Sequence, residues 1–146
     1  MSATNAFEDK ILTLYGINTG AANIGDATGL VASTVAGNLH ISLHTADPGE
    51  TGDQTTNEAA YGSYARQAVV RSAAGWTVTS GTMDNDAAIT FPEATSGSET
   101  ETHFGVGFAV SGTGSRDLNG ALTSSLAVSV NVQPEFAIGA LDITLD

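Results

Sequence analysis

The segment NLHISLHTADPG, Asn38–Gly49, carries the clearest fold signal in this chain. Leu39, Ile41 and Leu43 alternate with polar residues, and this period of two predicts a half-buried β-strand. The chain then reaches Asp47–Gly49, where proline presets φ and glycine supplies a positive φ. The segment therefore predicts a strand that ends in a tight turn.

Downstream of this segment, seven more stretches have strand-like patterns. They are Tyr64–Arg71, Trp76–Ser80, Ala87–Phe91, Thr102–Val110, Asp117–Leu122, Val128–Val132 and Ala140–Leu145. Thr51–Ser63 and Ala94–Glu101 are predicted to be polar loops, and Met83–Asp86 is predicted to be a turn. About eight short strands at this spacing predict a mainly β fold, namely an antiparallel β-sandwich of the jelly-roll kind.

The N-terminal residues predict one short helix, Ala6–Tyr15. Asn5 is a suitable N-cap and Gly16 a suitable C-cap. The helix has one apolar face, formed by Phe7, Ile11 and Leu14. A helix this short is not stable alone, so that face is expected to dock on another surface.

The stretch Ile17–Gly37 is rich in Gly, Ala, Asn and Thr, and it is interpreted as a loop. Within it, Gly29–Val35 fits either a helical turn or a strand. We therefore expect residues 1–37 to form a helix and an irregular arm, and residues 38–146 to form the sandwich. Segments of this composition often gain order on a partner, so the apolar helix face is a candidate assembly contact.

The charge balance excludes several classes of protein. Sixteen acidic residues face four basic ones, which gives a net charge of -12 and disfavours binding to nucleic acid. There is no cysteine, no apolar run long enough to span a membrane, and no secretory signal at the N-terminus. The acidity fits either saline surroundings, where charges are screened, or an ordinary acidic protein.

Three histidines and two acidic loops are the candidates for metal binding or catalysis. His40 and His44 lie on one predicted strand face, roughly 13 Å apart, which is too far for one metal ion. These two and His103 are interpreted as solvent-facing or interface residues. The loops Asp47–Asp53 and Asp84–Asp86 do not fit the calcium-loop pattern and are interpreted as turns. No hydrolase motif is present, so the sequence predicts no catalytic residue, metal site or cofactor.

Arg66 and Trp76 are the other two candidates. Arginine is rare here, and Arg66 is either an assembly contact that pairs with a carboxylate of another subunit or, as we favour, part of an intrachain ion pair. Trp76 is interpreted as a core or rim anchor rather than as a platform for a sugar.

Seven strings along the chain form a pattern. They are NAFEDKILTLYG (Asn5–Gly16), LHTADPGETG (Leu43–Gly52), SYARQ (Ser63–Gln67), AITFP (Ala88–Pro92), THFGV (Thr102–Val106), GALTSS (Gly120–Ser125) and GALDITLD (Gly139–Asp146). In this order they resemble a family of small tailed-phage virion proteins, usually described as tail-fibre or minor structural proteins. The resemblance leaves out Ile17–Gly37. In the family pattern the glycine before ALT lies inside a strand, so Asn119-Gly120 is interpreted as a kinked strand rather than a hairpin turn.

The resemblance implies a virion part rather than an enzyme. A fibre needs length from a coiled coil or from repeats, and neither is visible. We therefore expect a non-enzymatic capsid decoration (cement) protein on the particle surface, with a tail-fibre or tail-tip component for host attachment as the alternative. The expected partners are further copies in a homotrimer, and the major capsid protein or another virion protein. A carbohydrate-binding module is a third hypothesis, and it would need clusters of exposed aromatic residues.

Overall fold

The structure is a computed structural model that describes residues 2–25 and 29–145. Within these ranges helix α1, Asn5–Leu12, runs into a π-helical turn, Thr13–Ile17, and nine strands follow. The strands are β1 Asn38–His44, β2 Gln67–Val70, β3 Trp76–Thr79, β4 Thr82–Asn85, β5 Ile89–Thr90, β6 Ser98–Gly107, β7 Arg116–Ser129, β8 Glu135–Phe136 and β9 Asp142–Thr144. The prediction of a mainly β, antiparallel fold with one short N-terminal helix is confirmed, with nine strands rather than about eight.

The contacts divide the chain into two compact units. The first, unit 1, contains Met1–Asn38, Val70–Ile89 and Phe136–Asp146, and the second, unit 2, contains Leu39–Val69 and Thr90–Glu135. The predicted division into residues 1–37 and 38–146, like the packing of the sheets as a sandwich, stays a prediction. No helix among the described residues is both long and apolar enough to cross a membrane.

A four-stranded sheet in the order β2-β1-β6-β7 forms the frame of unit 2. Strands β1 and β6 pair antiparallel, as do β6 and β7. Gly120 lies opposite Phe104 in the β6–β7 ladder, and a Cβ there would come within 2.8 Å of the Phe104 ring. Because Asn119 and Gly120 both pair within this ladder, their interpretation as part of a strand is confirmed. The Phe104 ring occupies the space that a side chain at Gly120 would need.

Strand β1 is buried on both faces. The apolar residues Leu39, Ile41 and Leu43 are buried as expected, but Ser42 and His44 are fully buried as well. The prediction of a half-buried strand is therefore wrong for Ser42 and His44, whereas His40 on the same face is only partly buried. His44 does not face solvent, because its two ring nitrogens find partners inside the protein.

A three-stranded sheet in the order β3-β4-β9 belongs to unit 1. Thr79 pairs with Thr82, so Ser80 and Gly81 form a two-residue hairpin turn, with φ of 55° and 82°. Positive φ at both central residues is the geometry of a type I′ turn. The predicted turn at Met83–Asp86 is wrong, because these residues lie largely in β4 and the chain has already reversed before them.

Helix α1 packs against β3 and β4 in unit 1, with Leu12 as its fully buried residue. The main-chain N–H of Gly81 donates to Oδ1 of Asp9 at 2.6 Å, which holds the helix on the hairpin turn. Two predicted caps are wrong. Thr4 is the N-cap, and Asn18, with φ of 57°, ends the helical segment. Gly16 instead permits close packing, since a Cβ there would lie 2.1 Å from Sδ of Met83.

Candidate functional site

A buried ion pair joins Arg66 to Glu58 in unit 2. Nε of Arg66 donates to Oε1 of Glu58 at 2.6 Å, and Nη2 donates to Oε2 at 2.8 Å. The hydroxyl of Tyr64 also donates to Oε1 of Glu58, at 3.0 Å. The geometry follows the intrachain alternative that the sequence favoured, and a bidentate pair of this kind fixes both side chains. A role for Arg66 at a subunit contact stays a prediction.

The same guanidinium also holds the connection between β6 and β7, Phe108–Ser115, which we call the 108–115 loop. Nη1 of Arg66 donates to the carbonyl of Ala109 at 2.9 Å, and Nη2 donates to that of Gly112 at 2.8 Å. Oε1 of the fully buried Gln54 also accepts the N–H of Ala109, at 3.1 Å. The loop is therefore fastened at several backbone positions by buried side chains.

The 108–115 loop presents apolar surface without charge. None of its eight residues, FAVSGTGS, is ionisable. Phe108 is 47% exposed and Val110 is 69% exposed. A fastened loop loses little conformational freedom on binding, so it presents a pre-organised surface to a partner.

Ser42 and His44 form the one arrangement in β1 that resembles a catalytic pair. Oγ of Ser42 lies 2.8 Å from Nε2 of His44, and Nδ1 of His44 donates to the carbonyl of Thr56 at 2.8 Å. Burial is the main cause that lowers the pKa of His44, and it favours the neutral ring. A Cβ on Gly105 would lie 2.6 Å from Nε2 and 2.7 Å from Oγ, so the backbone of β6 covers the pair. No substrate can reach this serine in the folded chain.

Two of the three carboxylates in the first acidic loop, those of Asp47 and Asp53, form turns. Oδ1 of Asp47 accepts the N–H of Gly49 at 2.8 Å. Oδ1 of Asp53 accepts both the N–H and the hydroxyl of Thr55, at 2.8 and 2.7 Å, and these bonds lower the pKa of Asp53. The interpretation of this loop as turn-forming is confirmed. Among residues 2–25 and 29–145, no group of three or more His, Asp and Glu side chains is arranged to hold a metal ion.

The second acidic stretch lies in unit 1, on β4 and just after it. Asp84 pairs with Asp142 of β9, and burial followed by the nearby Asp142 carboxyl raises the pKa of Asp84. Oδ1 of Asp86 accepts the hydroxyl of Thr77 at 2.7 Å. Trp76, at the start of β3, is fully buried, so its interpretation as a core anchor is confirmed and a sugar platform there is excluded.

The three apolar helix residues predicted as assembly contacts keep part of their surface. Phe7 is 48% exposed, and Ile11 and Leu14 are each half-buried. The helix instead buries Leu12, a residue outside the predicted face. Their role in assembly stays a prediction, and the structure leaves Phe7 accessible for it.

Arg71 has a structural role that the sequence did not reveal. Its side chain is buried in unit 1 and donates to three backbone carbonyls, those of Leu14, Tyr15 and Ala36, at 3.0, 2.6 and 2.9 Å. The bonds to Leu14 and Tyr15 satisfy carbonyls at the end of the helical segment, where no intrahelical donor remains, and the bond to Ala36 holds the arm. The arm is tied down further, because the side chain of Asn18 bonds both the N–H and the carbonyl of Ser33. The bonds within unit 1 thus order much of the predicted arm.

The sequence did not predict the positions of Glu99 and Glu101, two glutamates on β6. The prediction of a loop at Ala94–Glu101 is wrong from Ser98 onward, because β6 begins there and Glu99 and Glu101 follow the alternation of a strand. Glu101 is fully buried, and Oε1 of Glu99 accepts the N–H groups of Ala60 and Tyr61 at 2.8 and 2.9 Å. The available signal was the period of two in SETETHFG, which the polar composition concealed.

Comparison with models of known protein families finds a match. A family model described as Podophage GP4 fiber I protein gp80 matches residues 17–144. The match takes in residues 17–37, which the resemblance seen in the sequence left out, and it begins after helix α1. No curated protein matches the chain.

Proposed function

The chain belongs to the family described as Podophage GP4 fiber I protein gp80, and on that membership we propose that it is a structural component of a tail fibre. Membership makes it a virion-associated protein of a tailed phage. The observation that carries the proposal is the match over residues 17–144, since the description names a fibre protein. It favours the tail-fibre alternative over capsid decoration, which the short length of the chain had suggested.

The proposed role is non-enzymatic. Among the described residues, the Ser42–His44 pair comes closest to a nucleophile and its base, and the backbone at Gly105 covers it. Its hydrogen bonds satisfy buried polar groups, which is a structural task.

The location is tested by labelling purified virions with antibody against the protein and imaging them by electron microscopy. Label confined to the tail fibres is the expected result. Label spread over the capsid surface would overturn the fibre proposal and restore the decoration hypothesis.

The 108–115 loop is the surface we propose for contact with the host. It is uncharged, exposed and fastened by Arg66 and Gln54. Virions that carry Val110→Asp are expected to adsorb to host cells several-fold more slowly, because a carboxylate would have to be desolvated at the contact. Val130→Asp is the matched control, since Val130 is 51% exposed in the same unit but outside the loop. Equal adsorption of both variants would exclude the loop as the contact.

Self-association, predicted as a homotrimer, is proposed to use the exposed apolar side chains of residues 29–37. Val31 and Val35 are 78% and 81% exposed, and this stretch carries no charge. Copies of a chain with a net charge of -12 repel one another, so an uncharged patch is where two copies can approach most closely. Burial of apolar surface would then drive association.

Light scattering on the purified protein tests this proposal. We expect a trimer that the double variant Val31→Asp, Val35→Asp converts to monomer. Ile138→Asp, at a residue that is 71% exposed in unit 1, is the control and is expected to remain trimeric. A strictly monomeric parent protein, or a trimer that survives the double variant, would refute the proposal.

A further inference from the structure

Glu99 and Glu101 lie two residues apart on β6, and alternate residues of a strand point to the same side. Their partners in the β6–β7 ladder are Val128 and Leu126, so the adjoining strand offers only apolar side chains. Two carboxyl groups therefore share a face on which the neighbouring strand supplies no counter-charge.

The carboxyl group of Glu101 is buried and receives no hydrogen bond from the described residues. Its side chain is 0% exposed, and no N–H or O–H donor of the described residues reaches either of its carboxyl oxygens. A carboxylate stripped of water and of donors is strongly disfavoured, so such a group holds a proton. Burial, followed by the nearby Glu99 carboxyl, raises the pKa of Glu101 to about 8.

Glu99 connects this pair to the loop after β1. Its Oε1 accepts the N–H groups of Ala60 and Tyr61, at 2.8 and 2.9 Å, so it is the ionised partner that these donors stabilise. Tyr61 is the other titratable group facing the pair. Its pKa is raised to about 12 by burial, then by the charges of Glu101 and Glu99, and its hydroxyl donates to the carbonyl of Pro92.

We propose that Glu99 and Glu101 share one proton, and that this proton fastens the backbone of Ala60 and Tyr61 to strand β6. The proton sits on Glu101 and is donated to Glu99, which in turn accepts the two main-chain N–H groups. When the proton is lost, two adjacent carboxylates repel each other, Glu99 moves away from Glu101, and its bonds to Ala60 and Tyr61 weaken. The pair is thus a pH-sensitive latch on this loop.

The direction of the pH dependence follows from the proton count. The folded chain keeps the Glu101 proton up to about pH 8, whereas the unfolded chain releases it near the ordinary value of 4.5. Between these values the folded state binds more protons, so stability falls as the pH rises through this window. Above it the loss is complete.

Carbon-detected NMR of the side-chain carboxyls, from about pH 5 to about pH 10, tests the latch directly. We expect the Glu101 carboxyl to titrate close to pH 8, and the amide resonances of Ala60 and Tyr61 to shift with the same midpoint. In Glu101→Gln, whose amide donates to Glu99 without titrating, those amide shifts should disappear. Glu93→Gln, at an exposed residue, should leave them unchanged.

Three outcomes would overturn the proposal. The first is titration of the Glu101 carboxyl near 4.5 in the parent protein, a result that does not depend on any variant folding. The second is persistence of the Ala60 and Tyr61 shifts in Glu101→Gln. The third is a midpoint that moves when calcium chloride is added at constant ionic strength, because a cation would then occupy the place of the proton.

Discussion

At the scale of single residues, the arginines of this chain act as clamps on the backbone. Arg66 binds the carbonyls of Ala109 and Gly112 as well as Glu58, and Arg71 binds three carbonyls in unit 1. Arg116 likewise donates to the carbonyls of Gly49 and Asp53. The planar guanidinium supplies several donors in fixed directions, which a lysine ammonium does not.

Arg66→Lys is therefore expected to destabilise the protein even though the charge is kept. A lysine cannot bind Glu58 twice and also reach two carbonyls, so part-buried acceptors lose their donors, at a total cost of about 1–3 kcal/mol. Urea unfolding should show a clear fall in the free energy of unfolding. Lys10→Arg, at an exposed residue, is the control and should change it by less than about 0.5 kcal/mol. Equal effects of the two variants would contradict the clamp.

At the scale of elements, helix α1 and the β3–β4 hairpin stabilise each other. The hairpin turn binds Asp9, and Leu12 is buried in the core of unit 1. The sequence predicted the helix because its start and its 3.6-residue period are local signals. It misplaced the buried side, because Leu12 is buried by packing of the helix on β3 and β4, strands that lie far away in the sequence.

Leu12→Ala tests this packing. Loss of a fully buried leucine is expected to cost about 2–5 kcal/mol, since it leaves a cavity as well as lost burial. Phe7→Ala is the matched control, because Phe7 lies on the same helix with nearly half of its surface exposed. Thermal unfolding that is lowered as much by Phe7→Ala would show that the helix packs in another orientation.

The strands show where sequence patterns stop being informative. The alternation in Leu39–Leu43 is a local signal, and β1 lies where it predicts. The burial of Ser42 and His44 was not predictable, because it depends on Thr56 and Gly105, which are distant in the chain. The two glutamates on β6 were hidden for the same reason, since only the folded chain supplies the N–H groups and the apolar neighbours that enclose them.

At the scale of the whole molecule, the burial of two of the four basic residues makes the solvent-accessible surface strongly acidic. Arg66 and Arg71 are buried, whereas most of the sixteen acidic residues have accessible surface. Repulsion among like charges opposes the folded state and weakens when salt shortens the range of the interaction.

The melting temperature is therefore expected to rise from low to high sodium chloride, by several degrees. Differential scanning calorimetry at a fixed pH would measure it. The same series in sucrose separates the screening of charges from general exclusion of solute, because sucrose carries no ions. A melting temperature that does not change with sodium chloride would contradict the argument.

Because Arg66 and Arg71 are buried, chemical labelling of these two arginines can distinguish folded from unfolded copies of the chain. A dicarbonyl reagent selective for guanidinium groups needs direct access to them, and in the folded chain these two residues are 7% and 8% exposed. Copies that have opened would acquire the label at both positions, whereas intact copies would not. Mass spectrometry of labelled peptides could then count the opened copies in a population of particles, including those that still look intact in images.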